Sequence, residues 1–392
     1  MNLIKNFRYQ SLIGLIAVFI LTFSYLTMAG DNQKIIIGET FTIKSEVLNE
    51  ERTILVYLPV GYETSDQHYP VMYVLDGKTH FIHASGIVEF LSGQGIIPQT
   101  ILVAITNVDR NRDFTPTKID ENSTYGGADQ FMSFIEEELK PYVNENYRSK
   151  SYETIAGHSL GGLYVTYTFL KNPDMFDSYI AISPYLMFDN NLLIDLTAEN
   201  ILKKYRNEKF FYMTLGDEPG YTKTVEAFVK IIKKESPSGL DFHYIHMTNE
   251  NHGSIPHLSI YNGLEANYPD WQISNATLQE GLAAIDKHYK FISKKYGYNI
   301  ETPEYIINAL GYQYLGKNEI DKAIEVFAEN VKRYPGSANV YDSLGEAYEN
   351  NSQLVEARNN YDKAVSIAKN GDYTFLKTYE SNLERINNKL VK

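Results

Sequence analysis

The chain has 392 residues, 43% of them hydrophobic, and a formal net charge of −13. That length suits one large domain with a smaller appendage, and that apolar content excludes a disordered chain. The acidic balance argues against a general nucleic-acid binder, which needs a basic face to displace counterions from phosphate; the absence of cysteine removes thiolate catalysis, disulfides, Cys-based zinc sites and an acylated-cysteine anchor.

Lys5 and Arg8 precede an apolar run over 12–28, which is followed by Ala29, Gly30 and the polar Asp31, Asn32 and Gln33. This order predicts a secretory signal peptide over 1–29, cleaved after Ala29 or Gly30, and a periplasmic or secreted protein with no membrane span once it is removed. An uncleaved anchor is the alternative, since the run approaches the roughly 20 residues a bilayer requires. Ser24, Tyr25 and Thr27 weaken that alternative.

Residues 35–49 and 52–58 read as leading strands, the second stopped by Pro59 and Gly61. Continuous apolar runs at 71–75 (VMYVL) and 101–105 (ILVAI) read as strands buried on both faces. The spacing of Phe131, Phe134, Ile135 and Leu139 predicts a helix over 130–142. Strands at 152–156, 179–182, 209–215 and 242–247 then alternate with helices at 160–169 and 222–234. The fold class is therefore α/β: a mostly parallel sheet with helices on both faces and an antiparallel start, spanning 34–296.

From residue 303 helix signals dominate. Leu310, Gly311, Tyr314, Ala323 and Phe327 recur 34 positions later as Leu344, Gly345, Tyr348, Ala357 and Tyr361. That period predicts tetratricopeptide-like helical repeats over 303–392, the small residues letting paired helices approach and the large ones filling between them. Pro335 ends the first unit; Lys369 stands at the equivalent place in the second. Two units are fewer than the roughly three that stand alone. They are expected to pack on the main domain or on a capping helix near 374–389, and they offer a surface for a protein or peptide partner.

Gly157-His158-Ser159-Leu160-Gly161-Gly162 carries the chemistry. It fits G-x-S-x-G between a strand and a helix, where a sharp turn exposes the serine oxygen and side chains at the flanking glycines would collide. Ser159 is the candidate nucleophile, and the Leu160 N–H at the start of the helix is a candidate oxyanion donor. The alternative is a glycine-rich turn with a capping serine. His158 is expected to be structural, since neighbours on such a turn point apart.

Five histidines follow: His243, His246, His252, His257 and His288. His243 and His246 fall inside a strand and His288 on a charged helix. His252, in the turn-prone Asn251-His252-Gly253-Ser254 after the last strand, is the favoured base, with His257 the alternative. Gly216-Asp217-Glu218-Pro219-Gly220 follows the 209–215 strand, and the acid is Glu218 or, as the alternative, Asp217. The second oxyanion donor is expected after 71–75, at Asp76-Gly77-Lys78, as the N–H of Lys78, with an ordinary D-G turn as the alternative.

Together with Ile182-Ser183-Pro184, the stretch 107–117 (NVDRNRDFTPT) and Tyr73-Val74-Leu75-Asp76-Gly77, these residues resemble the putative-esterase family of α/β-hydrolases. That superfamily includes enterochelin-type siderophore esterases, feruloyl esterases, S-formylglutathione hydrolase and mycolyltransferases. The resemblance covers about 34–296. It implies a Ser159–Glu218–His252 triad, a Leu160–Lys78 oxyanion hole and a serine carboxylic-ester hydrolase acting on siderophore or other small-molecule esters. Tyr185-Leu186 after Ile-Ser-Pro departs from the siderophore-esterase branch. Arg110, Arg112 and Asp113 either border the pocket or form a structural ion pair. An acyltransferase on the same triad, and a non-catalytic peptide-binding protein using the repeats, are the alternatives. No cofactor and no metal are expected; His80 and His83 show no third ligand nearby in sequence.

Overall fold

Eight strands carry the apolar runs of the first 250 residues: β1 (Glu39–Ser45), β2 (Glu50–Tyr57), β3 (Tyr69–Val74), β4 (Ile101–Ile105), β5 (Ser149–His158), β6 (Ser178–Ile182), β7 (Lys209–Leu215) and β8 (Leu240–His246). They form one sheet in the order β1-β2-β4-β3-β5-β6-β7-β8. β1 pairs antiparallel with β2, and β2 with β4; every other pairing is parallel. Every residue of β3, β4, β6 and β7 is buried, as strands covered on both faces require. The computed structural model describes residues 35–391 apart from 122, 202–204, 206 and 372–374. The expected signal peptide at 1–29 lies outside the described residues. Glu39–Lys392 is one compact unit and Met1–Gly38 another; Ile35 to Gly38, the described end of the latter, have no regular structure.

The helices between the strands are α1 (Gly77–Gly93), α2 (Arg110–Phe114), α3 (Ala128–Phe134), α4 (Lys140–Asn146), α5 (Leu160–Lys171), α6 (Phe188–Asn200) and α7 (Pro219–Glu235). A π-helical turn, Ile135–Leu139, joins α3 to α4 where the spacing predicted one plain helix. That turn carries Glu138, whose carboxylate accepts the Ser45 hydroxyl (2.5 Å) and the N–H groups of Glu46 and Val47 (2.8 and 3.0 Å), fastening the β1–β2 turn. α3, α5 and α7 cover one face of the sheet over Tyr73, Phe131, Tyr164, Phe169, Phe211 and Phe228.

After β8 come α8 (Ile255–Asn267), α9 (Asn275–Gln279), α10 (Leu282–Tyr296), α11 (Glu304–Gly316), α12 (Ile320–Arg333), α13 (Ala338–Asn350), α14 (Leu354–Asn370) and α15 (Leu376–Leu390). α1, α8 and α10 cover the second face, and α11 and α12 add Ile307, Leu310 and Val326 to that same core. The all-helical region is therefore continuous with the sheet domain. A Cβ on Gly311 would lie 2.4 Å from the Phe327 ring, and one on Gly345 2.9 Å from the Tyr361 ring. The two helix pairs thus use the same glycine-against-aromatic contact one period apart.

No helix among the described residues is long and apolar enough to cross a membrane.

Candidate active site

Strand order reverses at β3: the chain steps from β3 outward to β4, then back past β3 to β5. In open α/β sheets the crevice beyond the carboxyl ends of the strands at such a point is the place for a ligand. Three non-glycine residues with positive φ stand at those ends, one each after β3, β5 and β6: Asp76 (φ 54), Ser159 (φ 59) and Ser183 (φ 38). Such backbone costs about 1–3 kcal/mol per residue and persists only where its surroundings enforce it.

Ser159 is enforced by its own backbone. Its N–H donates to the Ile182 carbonyl (2.9 Å), and its carbonyl accepts from Leu163 (2.9 Å) and Tyr185 (3.0 Å). A Cβ on Gly157 would sit 2.5 Å from the Gly161 carbonyl oxygen, so the turn closes only around glycine. Leu160 is the first residue of α5 and Lys78 the second of α1. First-turn N–H groups have no intrahelical acceptor, which leaves both as candidate donors to an oxyanion. α1 can start there because Gly77 packs on the backbone of β4; a Cβ would approach the Ala104 carbonyl carbon to 2.9 Å.

Glu218 ends the loop after β7, almost wholly buried. One carboxylate oxygen is 2.5 Å from His252 Nδ1; the other accepts the Ser183 hydroxyl (2.5 Å) and the Gly216 N–H (3.2 Å). Asp217, the alternative acid, is exposed, its N–H donating to the Glu250 carbonyl. The His252 loop is held by Asn251, whose Oδ1 accepts the N–H groups of Gly253 (2.9 Å) and Ser254 (3.2 Å). With Nδ1 turned to Glu218, Nε2 is the nitrogen left for the nucleophile. Tyr221, on the first turn of α7, joins the two: its phenol is close enough to Ser159 to feel that hydroxyl, and its ring lies 5.3 Å from the His252 ring. Burial raises the Tyr221 phenol above its ordinary value, and Ser159 opposes that shift.

Behind Ser159, Asp76 receives Arg110 in a two-point ion pair (2.6 and 3.0 Å) and the Asn107 amide (2.5 Å). Arg110 also donates to the His158 carbonyl (3.2 Å), so it braces the residue before Ser159. Arg112 and Asp113 lie in a separate network. Arg112 grips Glu50 (2.7 and 2.9 Å), while buried Arg52 is 2.5 Å from Asp113 and 2.6 Å from Glu50. That network ties β2 to α2 and is structural.

His158, expected to be structural, has its ring 4.4 Å from that of His252. His80 and His83 acquire neighbours that their sequence context lacks, because the fold sets His80 5.9 Å from His158 and His83 5.6 Å from His257. His257, the alternative base, thereby belongs to α8 and the His83 side, and it is His252 that meets the acid. No group of side chains among the described residues could hold a metal ion. Sequence reasoning did not assign Ser183 or Tyr221; each lies within three residues of a strand end or candidate acid, the one signal that marked them.

The α/β part of the chain resembles known proteins. Residues 45–209 match the family model described as "Putative esterase". The chain is 32% identical over 190 residues to the ferri-bacillibactin esterase BesA of Bacillus subtilis, covering 41% of this chain and 63% of that protein. It is 32% identical over 173 residues to the siderophore triacetylfusarinine C esterase of Aspergillus fumigatus, covering 39% and 57%. The match therefore spans less than two thirds of these relatives' own length. An IroE-like serine hydrolase from Shewanella oneidensis superposes with a TM-score of 0.67 at 26% identity, over 76% of this chain and 99% of that one. Residues 45–209 of this chain thus match that esterase family, and the fold around them is that of the α/β-hydrolases.

Proposed function

We propose that the protein is a serine carboxylic-ester hydrolase working through an acyl-enzyme. The observation that carries this reading is the buried Glu218 carboxylate held 2.5 Å from His252 Nδ1 beside a serine on a strained strand-to-helix turn. His252 Nε2 takes the Ser159 proton as Oγ attacks the ester carbonyl. The N–H groups of Leu160 and Lys78 receive the oxyanion, and the protonated imidazole hands its proton to the departing alcohol. Water then enters by the reverse steps and frees the acid. Ser183, through its bond to Glu218, keeps that carboxylate aimed at the ring.

The named activities of the relatives support small-molecule esters, siderophore esters among them, as the substrate class. Ser159→Ala should lower turnover of an aryl ester roughly 10³- to 10⁶-fold with an unchanged circular-dichroism spectrum. A fluorophosphonate probe should label the parent protein at Ser159. Full activity in the Ala variant would rule the reading out.

Two further parts belong to the proposal. The 1–29 segment is a cleaved signal peptide that sends the enzyme to the periplasm or beyond, which the N-terminal sequence of the exported protein tests. The helical region comprises two tetratricopeptide units, supported by the paired Gly311–Phe327 and Gly345–Tyr361 contacts. α15 lies against the acidic side chains of α13, with Asn382 on Asp342 (2.9 Å) and Arg385 on Glu349 (2.6 Å). That contact favours a capped array docked on the enzyme over an open peptide groove.

A further inference from the structure

Five of the nine histidines of the chain stand in one row. From His252 the row runs to His158 (ring centroids 4.4 Å apart), His80 (5.9 Å), His83 (5.1 Å) and His257 (5.6 Å). One link is a formed hydrogen bond, His80 Nδ1 to His83 Nε2 at 2.8 Å, and its centroid distance of 5.1 Å calibrates the others. The remaining three centroid distances lie within an ångström of it. Two ring nitrogens in the row, His158 Nε2 and His83 Nδ1, are buried without a partner. Burying an unpaired polar atom is costly, so two in one row call for a reason. They are also the nitrogens a relay requires: with Nε2 of His83 on His80, Nδ1 remains for His257, which is exposed at the start of α8.

We propose that His158, His80, His83 and His257 form a proton-exchange path between His252 and solvent, used while substrate or product covers the mouth of the site. The path rests on the esterase reading, because that reaction creates the need. Hydrolysis of R–CO–OR′ by water gives R–COO⁻, R′OH and one H⁺. The nascent acid ionises onto His252, which must shed that proton before it can act as base again. A neutral imidazole accepts on one nitrogen and releases from the other, so a row of neutral rings passes a proton without storing it.

The surroundings disfavour charge on the three inner rings, His158, His80 and His83. Burial, then the neighbouring rings, lowers His158 to about 3 and His83 to about 4, and burial lowers His80. Asp76 opposes that shift at His80 and His158, while Arg110 adds to it at both. His252 faces Glu218 and Tyr221 besides His158. None of the four relay rings is placed at the reacting ester; they act through His252.

The test uses the full chain and two variants, His83→Gln inside the row and His257→Ala at its exposed end, with a long-acyl p-nitrophenyl ester that fills the mouth. Steady-state kcat should fall about tenfold in weak buffer and recover when imidazole is added, with KM unchanged. The pre-steady-state burst of p-nitrophenolate and fluorophosphonate labelling of Ser159 should match the parent. A normal burst with turnover independent of buffer, in parent and variants alike, overturns the path alone. A loss that imidazole does not restore, accompanied by a weaker burst, also overturns it, since that is structural damage. Absence of burst and labelling in the parent overturns the esterase reading and the path with it.

Discussion

Glu218 touches three partners with two oxygens, and substitutions there separate charge from shape. Glu218→Gln keeps a carbonyl toward His252 but loses the charge that stabilises the imidazolium. It should lower kcat about 10²- to 10⁴-fold with little change in KM, as read from an aryl-ester assay. Ser183→Ala removes only the hydroxyl that steadies the second oxygen and should cost about tenfold. Tyr221→Phe leaves the ring packed on His252 and removes the phenol from Ser159, so binding should hold while the acylation rate changes by a similar factor. The buried imidazoles also set a pH dependence of stability. His83 and His158 titrate near 4 and 3 in the folded chain, below the ordinary 6.5, so the unfolded chain binds more protons in that window. Stability should therefore fall as pH drops from about 6.5 toward 3. Thermal melts of a His83→Asn, His158→Asn variant should show a shallower loss over the same range. At this scale the turn at Ser159 and the loops that carry Glu218 and His252 were legible, because each follows a strand predicted from the sequence. Ser183, Tyr221 and the approach of His158 to His252 were not, since each depends on how neighbouring strand ends stack in space.

Among the elements, the strands were the most readable and the helices the least. Fully buried strands such as 101–105 require unbroken apolar runs, and those are visible without a fold. α1 carries His80, His83 and Ser85 on the side that meets the sheet and α8, so its apolar period is blurred by these polar residues. The π-helical turn at Ile135–Leu139 is invisible for a similar reason: what it serves is the reach of Glu138 to a distant turn. Helix pairing in the C-terminal region makes a sharper prediction. Gly345→Ala would drive a methyl into the Tyr361 ring and should cost about 1–3 kcal/mol in denaturant unfolding. Combining it with Tyr361→Leu should recover part of that loss, which a purely conformational effect of the glycine would not allow.

Across the whole molecule, the helical region shares a core with the sheet domain. Ile285, Tyr289, Ile292 and Tyr296 of α10 pack in one cluster with Ile307, Leu310 and Val326. Arg333 adds a two-point ion pair to Asp286 at 2.7 and 2.8 Å on the rim. A half-exposed pair of this kind contributes about 1 kcal/mol or less, so the apolar seam carries the docking. Arg333→Ala should shift the melting temperature by only a few degrees. Ending the chain at residue 300 should instead leave the seam uncovered and yield aggregated protein, seen by size-exclusion chromatography.

By itself the amino-acid sequence determined the α/β class, the strands, a serine on a strand-to-helix turn and a helical period of 34 residues. All of these are local: a buried strand, a strained turn and a helix pair each impose composition on neighbouring residues. Tertiary structure alone decided which acid faces His252, how Arg110 braces the elbow through Asp76, and that five histidines from three segments of the chain stand in one row. Such contacts join residues tens to hundreds of positions apart, and no periodicity records them, because the sheet order that brings them together is a property of the packed core.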